Sequence, residues 1–89
     1  MLTPVRSSQF KRDVRTTKSR GKDSAKLRDV LRLLVNQQAL PSSYRDHPLR
    51  GPWKGYRELH LESDWLLIYR IQGTELRLVR TGTHADLFE

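Results

Sequence analysis

The chain contains no cysteine, so disulfides, thiolate–metal sites and cysteine nucleophiles are all excluded. A small domain without such staples is expected in the cytoplasm. No apolar run approaches the roughly 20 residues of a membrane span, and no membrane role is expected. The stretch from Met1 to Arg20 is basic throughout and lacks the apolar segment of a signal peptide. Five glycines and four prolines in 89 residues leave neither a linker nor a low-complexity segment, and no internal repeat is present. A chain of this length buries only about 60% of its unfolded surface, leaving no room for a second core. One domain, residues 1–89, is therefore expected. Two Trp, three Tyr and two Phe supply anchors that disordered chains lack.

Charge is abundant and unevenly placed. The net charge is +7. Residues 1–32 hold ten Lys and Arg against three Asp, whereas residues 33–89 hold seven basic and seven acidic side chains. The whole excess belongs to the first third. Such a patch faces a polyanion first: RNA, DNA or an acidic protein. A solvated helix face explains a charge run equally well.

Periodicity sketches the elements. Met1 to Arg6 reads as a short edge strand, which tolerates Pro4. Ser7 and Ser8 are placed to cap a helix from Gln9 to about Ser19, anchored thinly by Phe10 and Val14. Asp23 and Ser24 open a second helix, with Leu27, Val30, Leu31, Leu34 and Val35 on one face, ending near Asn36–Gln38. From Tyr56 to Leu61 the chain alternates, with Tyr56, Glu58 and His60 on one face. Glu62–Ser63 turns it, and Trp65 to Ile71 is apolar on both faces, as in a central strand. Leu76 to Thr81 returns, and Gly82 to Glu89 forms a tail or helical turn. The order predicts an α+β fold, with two N-terminal helices packed on one face of an antiparallel sheet.

Three histidines are available: His47 in a loop, His60 within a strand and His84 after the last strand. Their spacings match no local metal motif, so neither a metal nor a cofactor is expected. Alternation sends Glu58 and His60 out of the same face, and Asp64 opens the neighbouring strand. Taken singly, each has an ordinary reading: Asp46-His47-Pro48 as a turn, Glu58 as a surface acid, His84 as a cap. As a set they suit RNA cleavage. That reaction needs a base for the 2′-hydroxyl proton, an acid for the leaving 5′-oxygen and cations around the phosphorus. Imidazole titrates in the right range.

Three runs carry a family likeness: Tyr44-Arg45-Asp46-His47-Pro48-Leu49-Arg50-Gly51-Pro52-Trp53-Lys54-Gly55-Tyr56-Arg57, Asp64-Trp65-Leu66-Leu67-Ile68-Tyr69, and Arg80-Thr81-Gly82-Thr83-His84-Ala85-Asp86-Leu87-Phe88. In order and spacing they resemble the YafQ branch of the RelE toxin superfamily. The resemblance implies a bacterial type II toxin, an endoribonuclease that cuts mRNA on the translating ribosome. It implies a cognate acidic antitoxin, a DinJ-like ribbon–helix–helix protein, and contact with operator DNA only through the antitoxin complex. Carried over by position, the family's active-site residues fall on His47, His60, Asp64 and His84, and its terminal aromatic on Phe88. Glu58 stands where the family commonly has Asp. His84 is then expected as general acid and His47 or His60 as base, with Asp64 orienting an imidazole. Arg57, Arg77, Arg80 and Lys54 are candidate substrate contacts. Two rivals belong to other classes: a non-catalytic toxin of the same fold that poisons a protein such as a topoisomerase, and a basic nucleic-acid-binding module.

Overall fold

A computed structural model describes residues 1–88. Glu89, the last residue of the expected tail, lies outside the described residues. The order is β1 (Thr3–Arg6), α1 (Ser8–Ser19), α2 (Ser24–Val35), β2 (His47–Pro48), β3 (Arg57–Glu62), β4 (Trp65–Gln72), β5 (Glu75–Gly82) and α3 (His84–Phe88). Single 3₁₀ turns at Ser42–Tyr44 and Gly51–Trp53 flank β2. The fold is α+β, as expected.

The sheet runs β1-β5-β4-β3-β2. It is mixed rather than purely antiparallel, because β1 lies parallel to β5, with Val5 opposite Arg77. The connection from β1 to β5 is long, as parallel neighbours require, and runs through both helices and β2–β4. Pro4 then sits on an outer strand, where a missing N–H costs no ladder bond.

Local chemistry starts both long helices. The Ser7 hydroxyl accepts the Phe10 N–H at 2.9 Å, and the Asp23 carboxylate accepts the Ala25 N–H. Both helices cover one sheet face. There Phe10, Leu27, Val30 and Leu34 meet Leu59, Trp65, Leu67, Tyr69, Leu76 and Leu78. Leu31, expected in the core, is only partly buried at its edge. The opposite face carries a smaller apolar group of Leu66, Ile68 and Leu87, with Leu49, Trp53, Tyr56 and Val79 packed on it. The two basic helices therefore cover the face of the sheet away from Glu58 and His60, although Arg20 reaches round to Asp86 on α3.

Two irregularities set the site. Val79 is an extra residue in β5, since Tyr69 faces Leu78 while Ile68 faces Arg80. This bulge lets the Arg80 side chain and the Thr81 N–H both reach buried Asp13 on α1, at 2.8 and 3.1 Å. Arg45, with φ +48° and ψ +46°, occupies the left-handed region and turns the chain into β2. His47 is thus a strand residue and not part of a loop. No helix among the described residues is long and apolar enough to cross a membrane.

Candidate active site

Strand pairing places His47 of β2 directly opposite Glu58 of β3, and His60 follows two residues on. All three side chains converge. Glu58 is only 5% exposed, so it is no surface acid. Its Oε1 lies 3.1 Å from His60 Nε2 and 3.6 Å from His47 Nε2. Burial of a carboxylate is tolerated where partners compensate it. His60 is held below the usual imidazole range, first by burial and then by the Arg45 charge. His84 and His47 push the same way, and Glu58 opposes them. Its Nδ1 is buried without a hydrogen-bond partner among the described residues. Nε2, 3.1 Å from Glu58, is the His60 nitrogen left for chemistry.

His84 opens α3. Its backbone N–H and its Nδ1 both contact Asp64 Oδ1, at 2.9 and 2.8 Å. These donors, the backbone one foremost, hold the Asp64 carboxyl below its ordinary range. Asp64 lies in the turn before β4 rather than within it. Its imidazole partner is His84, where strand adjacency alone suggests His60. With Nδ1 on the carboxylate, Nε2 of His84 is the nitrogen left for substrate. The imidazoles of His47 and His60 are 6.2 Å apart, and those of His60 and His84 5.9 Å.

The short α3 is fixed from three sides. Leu87 is buried beneath it against Leu66 and Ile68, an apolar anchor for the tail. Asp86 accepts the Thr83 N–H and returns its own to the Thr83 hydroxyl, a capping box. The Asp86 carboxylate is also gripped by Arg20 at 2.6 Å. That hydrogen bond, foremost, keeps its carboxyl well below the usual range. Gly82 is required for this approach, since a Cβ there would stand 2.8 Å from Asp86 Oδ2. Phe88, 42% exposed, ends the helix 6.4 Å from the His84 ring.

The histidines sit on an open sheet face. A cleft of about 580 Å³ beside Asp46, Arg57 and Tyr69 includes none of them. An open cluster suits a polymer, whereas a small metabolite calls for a concave site. Among the described residues, His47, Glu58 and His60 also form a set able to hold a divalent transition metal, their ligand atoms lying within 4.8 Å of one another. Sequence spacing missed this set because its members come from two paired strands.

Comparison with known proteins decides the family. The profile described as "Bacterial toxin of type II toxin-antitoxin system, YafQ" matches residues 2–89. The chain belongs to the YafQ toxin family. It is 51% identical over 83 residues to the mRNA interferase toxin YafQ of Escherichia coli K12, covering 92% of this chain and 90% of the relative. It is similar to YafQ in the crystal structure of the E. coli DinJ–YafQ complex, with a TM-score of 0.92, 47% identity and full coverage of both chains. It is also similar to a metal-bound toxin from Helicobacter pylori, with a TM-score of 0.93, 41% identity and coverage of 99% of this chain and 100% of that one.

Within this YafQ fold, the proposed cationic contacts separate. Arg57 points to the helix-bearing face, where its Nε and Nη2 each lie 3.3 Å from the Asp46 carboxylate. The Tyr69 hydroxyl donates to the same carboxylate at 2.7 Å. Burial and this carboxylate push the Tyr69 phenol up. The triplet clamps the residue preceding His47. Arg80 is committed to Asp13. Lys54 is exposed in the turn after Trp53, and Arg77 lies on the histidine face. Sequence reasoning missed Asp13, Asp46 and Tyr69. Asp13 carried one legible signal, its place on the Phe10–Val14–Thr17 side of α1.

Proposed function

We propose that this YafQ-family toxin cuts mRNA on the translating ribosome by acid–base chemistry of its own side chains, in the cytoplasm where ribosomes work. The observation that carries the reading is the pairing of two different imidazole environments on one open face. His60 beside Glu58 is biased towards the neutral form and suits the base that takes the 2′-hydroxyl proton, with His47 next to it. His84, its Nδ1 on Asp64, presents Nε2 as the acid that protonates the departing 5′-oxygen. Each proton transfer is worth on the order of 10²–10⁴ in rate. Attack of the 2′-oxygen forms a P–O bond while the P–O5′ bond breaks, leaving a 2′,3′-cyclic phosphate and a 5′-hydroxyl. The half-identical relative named as an mRNA interferase supports the substrate class. A toxin aimed at a protein has no use for this histidine–carboxylate set.

The partner follows the same logic. DinJ is the companion of the E. coli relative in its complex, and a DinJ-like acidic antitoxin is proposed here. The groove between α1 and α2 is floored by Phe10, Val14, Leu27 and Leu31 and rimmed by Arg6, Lys11 and Arg15. It complements an acidic segment bearing apolar residues.

The test is cleavage of a message in a translation extract, followed by end-group analysis. Cyclic phosphate ends that persist in chelator support the reading. Cleavage that requires a divalent ion on the protein contradicts it. Zinc filling His47, Glu58 and His60 would occupy the lone pairs that the base needs, so added zinc is expected to inhibit.

A further inference from the structure

Arg70 and Arg77 stand directly opposite each other on β4 and β5. Alternation puts both on the histidine-bearing face. Like charges in direct cross-strand register are destabilising. Arg77 has only an exposed ion pair with Glu75, and Arg70 has no carboxylate partner among the described residues. What Arg70 does have is an aromatic ring: its guanidinium carbon lies 5.5 Å from the Tyr56 centroid. Tyr56 meets Trp53 edge-on at 5.5 Å, and Trp53 meets Phe88 at 6.4 Å. Phe88 lies beside His84. A continuous series of aromatic rings thus leads from the candidate acid to an arginine pair whose one carboxylate partner is Glu75.

We propose that Trp53, Tyr56, Arg70 and Arg77 form a track that holds single-stranded RNA on one side of the cleavage site. Aromatic faces accept bases of any identity, and arginines follow the phosphates. Beside Tyr56 and Arg77, a depression of about 150 Å³ bounded by Val5, Ser7 and Val79 leaves room along the strand edge. The track rests on the endoribonuclease reading and adds to it a binding surface away from the histidines. Arg70 and Arg77 supply positive charge where the strand lies.

The test is equilibrium binding of a fully 2′-O-methylated RNA decamer, which lacks the attacking hydroxyl, across a salt series. Arg70→Gln and Arg77→Gln are each expected to make the slope of log affinity against log salt shallower by about 0.7, the value for one single-strand phosphate contact. Tyr56→Leu should weaken binding and leave the slope unchanged. The helix-face substitution Arg32→Gln removes the same charge and should keep the parent slope. Both arginine variants should unfold at or above the parent temperature, since each relieves a like-charge pair. Parent slopes in Arg70→Gln and Arg77→Gln overturn the track, as does a slope change in Arg32→Gln equal to theirs. Loss of antitoxin affinity without loss of RNA affinity would make the surface a protein interface and overturn it too. So would failure of the parent to bind the decamer at low salt. Cleavage of message by the parent alongside any of these results rejects the track alone. An inactive parent rejects the reading beneath it.

Discussion

Replacing Asp13 by Ala separates two roles for Arg80, a contact for substrate and a strut of the fold. Asp13 is 93% buried, being 7% exposed. It accepts from Arg80 Nε at 2.8 Å, from Arg80 Nη2 at 3.3 Å, from the Thr81 N–H at 3.1 Å and from Gln9 at 3.0 Å. Removing it leaves a guanidinium that is 24% exposed with only the Asp86 carbonyl, at 3.5 Å, and leaves a buried N–H unpaired. Breaking such a pair costs about 3–5 kcal/mol. The residual exposure of Arg80 points to the lower end, with an added ~1 kcal/mol for the orphaned N–H. A domain of this size has a margin of roughly 5–13 kcal/mol, so a large share of it would be lost. In urea, with a slope of about 1–3 kcal/mol per molar, the midpoint should fall by at least about 1 M. The Arg80→Ala variant should lose less, because the carboxylate keeps the Thr81 N–H. The double variant should cost less than both together. A loss under about 1 kcal/mol for Asp13→Ala, or strict additivity, would refute the strut and return Arg80 to the substrate.

Other consequences are equally open to measurement. Leu34→Ala should cost about 2–5 kcal/mol and partly buried Leu31→Ala less, about 1 kcal/mol; the reverse order in denaturant melts would mean that the α2 face is misassigned. Glu58 is the one neighbour that raises the His60 pKa, so Glu58→Gln should shift the ascending limb of the pH–rate profile to lower pH. An unmoved or raised limb removes His60 as base. Since the folded-state pKa of His60 lies below its unfolded value of about 6.5, the unfolded chain binds the extra proton first. Stability should therefore fall as pH drops from about 6.5 towards the folded pKa, and Glu58→Gln should extend that fall to lower pH. Antitoxin affinity should weaken with added salt, because the exposed cations of α1 and its groove are screened over about 8 Å at physiological ionic strength. A flat response would assign the complex to apolar burial instead.

Much of this was legible in residue order. The i, i+3, i+4 apolar pattern located α2 within a residue or two, and the two-sided apolar run located β4. Alternation alone put Glu58 and His60 on one face. What periodicity could not supply was pairing. Six residues at the N-terminus say nothing of direction, so β1 was expected in an antiparallel sheet and lies parallel to β5. Asp46-His47-Pro48 reads as a turn because the strand it joins is two residues long and entered through Arg45 at positive φ. The register of β5 depends on an extra residue, Val79, that no pattern announces, and Arg80 turns on that register. Arg57 was separable in principle, since alternation already set it opposite His60. His47 came into the site through family resemblance, because Glu58, its partner across the sheet, is 11 residues away.

The central claim is that His84 delivers a proton to the leaving oxygen, and single-turnover cleavage of a ribosome-bound message by His84→Ala tests it most directly. The variant should fold and bind antitoxin as the parent does, because Leu87, Asp86 and Arg20 still hold α3. Its cleavage should be slower by roughly 10²-fold or more at an unchanged substrate requirement. Cleavage close to the parent rate would contradict the acid role and leave the chemistry to His47 and His60.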